Sequence, residues 1–278
     1  MPVLLMGGGV PASAAAPVGL FDDFSWGSVS ALRKHGWVVR TGTGAPGVAG
    51  EATWSAANVG FATVDGSRGL RLTMRTDGTA AGTSQAEVGR AAEKSRAGTY
   101  LARIKFADRP ESGVDGDHLV ETFFAISSVD GCDPAYSETD FSEYLPNGGY
   151  DETRTLNTQT SWARAGEECG DSKETDEYRS FAGWHTVMTT VSGGHVRYYL
   201  DGKQVADHTG KYYPRHDMTI AFNLWLLDLG GHTGSGVSVW RQSVDYVYYA
   251  KNRVLTAKQA TARVAAYRKA GKSYVNTL

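Results

Sequence analysis

The chain has 278 residues, with 28 basic against 30 acidic side chains and a formal net charge of −2. That balance offers no basic surface for a phosphate backbone, so nothing indicates a nucleic-acid partner. Hydrophobic residues make up 41% of the chain, which also has 34 glycines, 14 tyrosines and 7 tryptophans. This composition is typical of many short strands joined by tight turns, in one large all-β domain or in two smaller domains.

The first sixteen residues, MPVLLMGGGVPASAAA, place an apolar run before small residues. This pattern predicts the remnant of a signal peptide (1–16) and therefore a secreted, extracellular protein. The segment lacks the usual basic start, so an ordinary disordered terminus is the alternative. The run is too short to span a bilayer, and no other stretch reaches eighteen apolar residues, so we expect no membrane partner.

Alternating or apolar segments then predict one strand after another. They are GLRLTMRT (69–76), TYLARIKF (99–106), HLVETFFAIS (118–127), WHTVMTTV (184–191), HVRYYL (195–200), MTIAFNLWLLDL (218–229) and VSVWRQSVDYVYYAK (237–251). Asp201-Gly202 is a strong hairpin signal after HVRYYL. The polar passages 76–98 and 147–178 are predicted to be loops, and long loops of this kind are often functional. Without an internal repeat or a Pro/Gly linker, the strands predict one β-sandwich or barrel domain over 17–250.

The end of the chain predicts a helix in a C-terminal extension (251–278). Thr256 and Gln259 have the spacing of a capping box, and Gly271 is placed to end the helix. Three positions between them fall on one face: Ala260, Val264 and Tyr267. We expect this helix to pack on the sandwich rather than to act in function.

The chain has two cysteines, Cys132 and Cys169. In an exported protein an even pair predicts a disulfide. Two unpaired thiols are the alternative, and the sequence has no zinc pattern.

The segment YSETDFSEYLP (136–146) carries the residues with the clearest chemistry, Glu138, Asp140 and Glu143. Its aromatic and β-branched residues favour a strand. In a regular strand Glu138 and Asp140 share a face and Glu143 points away. A β-bulge between Asp140 and Glu143 would bring all three carboxylates to one surface, and bulges are common beside active sites.

Two carboxyl groups that face the same sugar are what glycoside hydrolysis needs. One donates a proton to the leaving oxygen, and the other attacks the sugar or activates water. The alternative interpretation is a half-exposed strand whose carboxylates are solvated, since acidic residues lie mostly on surfaces.

Several segments together resemble successive landmarks of glycoside hydrolase family 16, the laminarinase and β-glucanase group. They are GTYLARIKF (98–106), the acidic strand, AGWHTVMTTVSGGHVRYYLDGKQV (182–205), MTIAFNLWL (218–226) and VDYVYY (244–249). The resemblance implies an all-β jelly roll, a sandwich of two antiparallel sheets with a concave groove for a polysaccharide. It also implies an enzyme that needs no cofactor, and we expect a monomer.

The family pattern maps onto Glu138 as nucleophile, Glu143 as acid and base, and Asp140 as the neighbour that holds Glu138. The family retains anomeric configuration, which requires the two catalytic carboxyls to lie about 5 to 5.5 Å apart. The first choice is therefore a secreted, endo-acting, retaining hydrolase of a β-1,3-glucan. The alternatives are a transglycosylase and a non-catalytic, lectin-like module that binds polysaccharide.

Two segments depart from the family pattern. HLVETFFAI stands where a Trp-rich strand is usual, and TLNTQTSW stands where many members have a THGTLH-like stretch with a His. We expect both changes to fall on groove positions. They are the reason for keeping the binding module as an alternative.

Sugars stack on aromatic rings, and their hydroxyls bind amides and carboxylates. The candidate substrate-binding residues are Trp162, Tyr144, Tyr150, Asn223, Trp225 and, as the weakest, Glu121. For each aromatic residue a core or rim position is the alternative. Some members of the family carry a structural calcium, for which Asp22 and Asp23 are the candidate ligands.

Overall fold

A computed structural model describes residues 19–48, 52–130, 132–150, 153–165 and 168–278. The expected signal peptide (1–16) lies outside the described residues. The elements in chain order are β1 Gly19–Asp22, α1 Val29–Lys34, β2 Trp37–Val39, β3 Thr53–Trp54, β4 Val59–Val64, β5 Ser67–Thr76, β6 Ser84–Arg90, β7 Gly98–Phe106, β8 Leu119–Ile126, β9 Glu138–Leu145, β10 Leu156–Ala165, β11 Glu168–Glu177, β12 Gly183–Ser192, β13 His195–Leu200, β14 Lys203–Thr209, β15 Thr219–Leu226, β16 Ser238–Lys251, α2 Ala257–Lys269 and β17 Tyr274–Asn276.

The long strands form two antiparallel layers. The front sheet runs in the order β2–β6–β15–β8–β9–β10–β11. The back sheet runs β4–β5–β16–β7–β12–β13–β14, and β1 and β17 extend it beside β16. Strands distant in sequence are therefore neighbours in both layers, and the predicted jelly-roll fold class is confirmed.

The core between the sheets is aromatic. Phe123 of β8 stacks on Phe222 of β15 with ring centroids 4.7 Å apart. Phe141 of β9 packs against Phe123 and against Tyr100 of β7, each at 4.6 Å. All four residues are buried, so the middle of the front sheet is fixed by ring packing on its inner face.

Strand β9 contains the bulge that the acidic spacing predicts. Against β8, Phe123 pairs with Ser142 and Phe124 pairs with Asp140, which leaves Phe141 as the extra residue. The register with β10 shifts at the same place. The extra residue reverses the alternation of side chains beyond it, so Glu143 returns to the face that carries Glu138 and Asp140.

Both polar passages that were predicted to be loops contain strands, so those two predictions are wrong. Residues 76–98 include β6, and residues 147–178 form the hairpin of β10 and β11. On the inner face of β10, Asn157 donates to Ser142 Oγ at 2.7 Å and Gln159 donates to Asn157 Oδ1 at 2.6 Å. Because these buried amides are hydrogen-bonded, the strand needs no apolar face.

The C-terminal helix lies on the outer face of the back sheet, as predicted. Its capping box is formed, with Gln259 N donating to Thr256 Oγ1 at 3.3 Å and Thr256 N donating to Gln259 Oε1 at 2.9 Å. Tyr267 stacks on Phe21 at 5.0 Å. The chain then adds β17 to the back sheet beside β1. No helix among the described residues is long and apolar enough to cross a membrane.

Cys132 and Cys169 form the predicted disulfide, with Cα atoms 4.5 Å apart. Cys132 lies in the connection from β8 to β9, and Cys169 lies at the start of β11. The bond therefore ties the approach to the acidic strand to the β10–β11 hairpin.

Candidate active site

Glu138, Asp140 and Glu143 line one cavity of about 550 Å³ on the outer face of the front sheet. We call this cavity the groove. Its lining comes from β2, β6, β15, β8, β9 and β10, so it crosses the front sheet from β2 as far as β10. The three carboxylates thus share a surface that can hold an extended ligand.

Each acid has its own hydrogen-bond donor. The Tyr136 hydroxyl donates to Glu138 Oε2. Trp162 Nε1 donates to Asp140 Oδ2 at 2.9 Å, and Thr160 Oγ1 donates to Glu143 Oε2 at 3.2 Å. The three side chains are therefore oriented before any ligand binds.

Burial is the main cause of the shifted acidities. It raises the pKa of Glu138 to about 7, which the hydrogen bond from Tyr136 partly counteracts. Burial and then the charge of Glu138 raise the pKa of Glu143 to about 8. The pKa of Asp140 is raised well above its usual range by burial and by both glutamates. Burial and mutual repulsion therefore favour the protonated forms of this group of acids.

Four of the predicted binding residues line the groove: Trp162, Tyr150, Asn223 and Trp225. Trp162 pairs across strands with Glu138. Asn223 is buried, and its Nδ2 lies 3.5 Å from Glu87 Oε2. Trp225 is also buried, in a small cluster with Val120 and Leu145 on the groove side. Their binding of sugar stays a prediction.

Tyr144 lies in the core between the sheets, so the prediction that it contacts sugar is wrong. It is fully buried, packs against Phe106 at 5.3 Å, and donates its hydroxyl hydrogen to Asp108. The same hydroxyl accepts a hydrogen bond from Phe181 N at 3.2 Å. Because the bulge returns Glu143 to the groove face, the next residue must point inward.

Glu121 also faces inward, which corrects its assignment to the groove. Its neighbours Val120 and Thr122 lie on the groove side, so alternation sends Glu121 to the core. Its Oε1 accepts a hydrogen bond from Ala107 N at 2.9 Å. Burial raises its pKa well above the usual range, which favours the neutral form of this core acid.

The two departures from the family pattern fall only partly on the groove. In HLVETFFAI, Phe124 lines the groove, whereas Phe123 belongs to the core. In TLNTQTSW, which forms most of β10, alternate residues reach the groove or its continuation: Thr158, Thr160 and Trp162.

Sequence reasoning missed several polar residues at the site. Tyr136 contacts Glu138, and Thr160 contacts Glu143. Glu174 and Asp176 line an adjoining cavity. For Glu174 and Asp176 the sequence does contain a signal. Ser172, Glu174 and Asp176 alternate along GDSKETDE, which indicates a strand with these side chains on one face, whereas the polarity of the segment favours a loop.

The binding of calcium by Asp22 and Asp23 stays a prediction. Asp22 is buried, and its carboxylate accepts hydrogen bonds from Phe24 N at 2.7 Å and from Trp37 Nε1 at 2.8 Å. Burial raises its pKa to about 6. Within the described residues, no group of three or more His, Cys, Asp or Glu side chains is arranged to hold a metal.

No protein-family model matches the sequence, and no curated protein matches it. Solved structures do match. One is a family 16 glycoside hydrolase from Bacteroides ovatus in complex with the product G4G4G3G, from a mixed-linkage glucan locus, with a TM-score of 0.63 and 16% identity over 82% of this chain and 98% of that one. The chain has the fold of glycoside hydrolase family 16 enzymes.

Two further matches are named for different polymers. The β-glucanase of Bacillus licheniformis gives a TM-score of 0.61 at 19% identity, covering 84% of this chain and 98% of that one. The κ-carrageenase of Pseudoalteromonas carrageenovora, solved with a tetrasaccharide of κ-carrageenan, gives a TM-score of 0.57 at 15% identity, covering 86% of this chain and 97% of that one. Proteins of similar fold are thus named for different polymers, and the fold alone does not fix the substrate.

Proposed function

We propose that this protein is a retaining glycoside hydrolase that cleaves a β-linked polysaccharide within the chain, with β-1,3-glucan as the first candidate. The observation that carries the proposal is the set of three carboxylates on the bulged strand β9, all lining the groove. We also propose that the protein is secreted and monomeric. A disulfide is compatible with an oxidising compartment.

In this mechanism Glu143 protonates the glycosidic oxygen, and the Glu138 carboxylate attacks the anomeric carbon. The bond to the leaving sugar breaks, and a covalent glycosyl-enzyme forms. Glu143, now ionised, takes a proton from water, which displaces Glu138 and restores both groups. Asp140 and Tyr136 are positioning residues: Tyr136 donates to the nucleophile, and Asp140 is fixed by Trp162.

The raised acidities are compatible with these roles. Burial raises the pKa of both glutamates, and the charge of Glu138 raises that of Glu143 further, so one carboxyl can keep its proton while the other ionises. The same covalent intermediate could pass its sugar to another sugar, so transglycosylation is a second outcome of one mechanism.

The test is incubation of the purified protein with β-1,3-glucan, mixed-linkage glucan, agar, carrageenan and galactan, with identification of the products. We expect oligosaccharides from a β-glucan and, by proton NMR, initial products that keep the β configuration. Glu138→Gln should lower the rate on the order of 1,000-fold or more. Asp133→Asn, in the loop before β9, is the matched control and should retain activity.

Release of reducing sugar by the Glu138→Gln protein at the wild-type rate would overturn the proposal. The binding-module alternative is motivated by Phe124, which lines the groove where a Trp-rich strand is usual in the family. Retention of glucan in a pull-down without any product after long incubation would favour that alternative.

A further inference from the structure

The groove continues beyond Glu143 into a second cavity of about 370 Å³ over β10 and β11. We call this cavity the side subsite. Glu143, Tyr150 and Trp162 line both cavities. The side subsite therefore adjoins the groove at these three side chains.

Strand register arranges polar side chains in rows across this surface. Asp140 of β9 pairs with Thr160 of β10, which pairs with Glu174 of β11. In the next row, Glu143 pairs with Thr158, which pairs with Asp176. Each row thus begins with a site acid and ends with a second acid on the far side of a threonine.

The charge of the side subsite differs from that of the opposite end of the groove. Glu174 and Asp176 are exposed, and no Lys or Arg occurs among the described residues that line the side subsite. The opposite end has Arg40 and Arg90, with Glu87 paired to Arg40 at 3.2 Å. Among the described lining residues, the Glu143 end therefore has acidic side chains without a basic one, whereas the opposite end has both.

A buried hydroxyl in the side subsite independently indicates a polar ligand. Thr158 is 5% exposed, and its Oγ1 has no hydrogen-bond partner among the described residues. A buried polar atom without a partner is costly. The aromatic residues Tyr150 and Trp162 line the same cavity, so the subsite combines a ring surface with unused hydrogen-bonding capacity, as sugar sites do.

We propose that the side subsite binds the sugar unit next to Glu143, and that Glu174 and Asp176 make it select a neutral sugar over an anionic one. Sugar hydroxyls donate to carboxylates, whereas a sulfate or uronate placed there meets like charge. The inference rests on the proposed function, because it assumes that the groove binds a polysaccharide.

The test compares a neutral β-glucan oligosaccharide with the same oligosaccharide oxidised to carboxylates at C6. We expect the wild-type protein to cleave the neutral form with a kcat/KM about two- to fivefold higher, as exposed like charges suggest. The Glu174→Gln/Asp176→Asn double variant should lower the ratio of kcat/KM for the neutral form to kcat/KM for the oxidised form. Glu177→Gln, on the opposite face of β11, is the control and should leave this ratio unchanged. In 1 M salt the wild-type ratio should also fall, because the Debye length shortens to about 3 Å.

Binding supplies a readout that does not depend on turnover. Calorimetry with the Glu138→Gln protein should show the same preference for the neutral oligosaccharide, and adding the Glu174→Gln/Asp176→Asn changes should reduce it. If the double variant is active and prefers the neutral oligosaccharide as strongly as the wild type does, the subsite proposal is overturned and the proposed function is not. Absence of product from any polysaccharide would instead overturn the proposed function, and the binding comparison would still decide the charge selectivity.

Discussion

Tyr136 lies outside the acidic motif but contacts the first carboxylate of that motif. Its hydroxyl donates to Glu138, and this hydrogen bond lowers the pKa that burial raises. We expect Tyr136→Phe to move the acid limb of the kcat/KM profile to higher pH, because the ionised nucleophile loses its donor. The rate at the optimum should fall about tenfold. Tyr267→Phe, on the helix behind the back sheet, is the control. If the acid limb of Tyr136→Phe lies at the same pH as that of the wild type, Tyr136 does not lower the pKa of Glu138.

The raised acidities of the two glutamates predict a pH optimum above the usual range of carboxyl groups. In the proposed mechanism Glu138 is ionised and Glu143 is protonated, and burial raises their pKa values to about 7 and about 8. The kcat/KM profile of the wild-type protein should therefore be bell-shaped with its maximum at neutral or mildly alkaline pH. The two limbs belong to the coupled group rather than to single residues. A maximum near pH 5 on a neutral glucan would contradict this arrangement.

The same shift has a consequence for stability. The folded pKa of Glu138 is about 7 against an ordinary value of about 4.3 in an unfolded chain. The folded state therefore binds the proton more tightly, and ionisation destabilises it as pH rises from the unfolded toward the folded pKa. Glu138→Gln should match the wild type in unfolding free energy at pH 4 and exceed it by roughly 4 kcal/mol at pH 8. Equal melting temperatures at both pH values would refute this expectation.

At the scale of elements, the sequence predicted what local spacing determines. Glu138, Asp140 and Glu143 can share a face only with a bulge, and the bulge is present. Asp201 and Gly202 both have positive φ, 49° and 80°, which the hairpin signal requires. These features depend on a few neighbouring residues and on backbone sterics, so one sequence is enough to find them.

Features that depend on pairing could not be predicted in the same way. The inward positions of Tyr144 and Glu121 follow from the register of β8 and β9, which alternation alone does not give once a bulge intervenes. Strand β10 has polar residues on both faces, because one face lines the groove and the other hydrogen-bonds internally. Without an apolar face, the period-2 signal of a strand disappears.

The hairpin of β10 and β11 is fixed to the acidic strand by the disulfide, which gives a further prediction. The bond closes a loop with a sequence separation of 37 residues. The Cys132→Ser/Cys169→Ser variant should lose about 3 to 4 kcal/mol of unfolding free energy, as loop-closure entropy suggests. Urea denaturation measures this loss, and wild-type protein treated with a reductant should approach the variant. A midpoint equal to that of the oxidised wild type would contradict the prediction.

At the scale of the whole molecule, the groove and the C-terminal helix lie on different sheets. The front sheet presents the groove, whereas the outer face of the back sheet is covered by α2. The buried residues of that second cluster include Phe21, Met188 and Tyr248. The helix α2 removes their apolar surface from water, and it lies on the sheet that does not carry the three site carboxylates. Substitutions of the residues that α2 covers should therefore change stability alone.

A matched pair on α2 tests this separation. Val264 is 3% exposed and packs against the back sheet, whereas Ala265 is exposed on the same helix. Val264→Asp buries a charge without a partner and should cost about 3 kcal/mol. Ala265→Asp should change stability by no more than about 0.5 kcal/mol. Because the groove lies on the other sheet, both variants should retain wild-type kcat/KM per folded molecule below their melting temperatures. A fall in kcat/KM for Val264→Asp in the fully folded state would show that the back sheet controls the geometry of the groove.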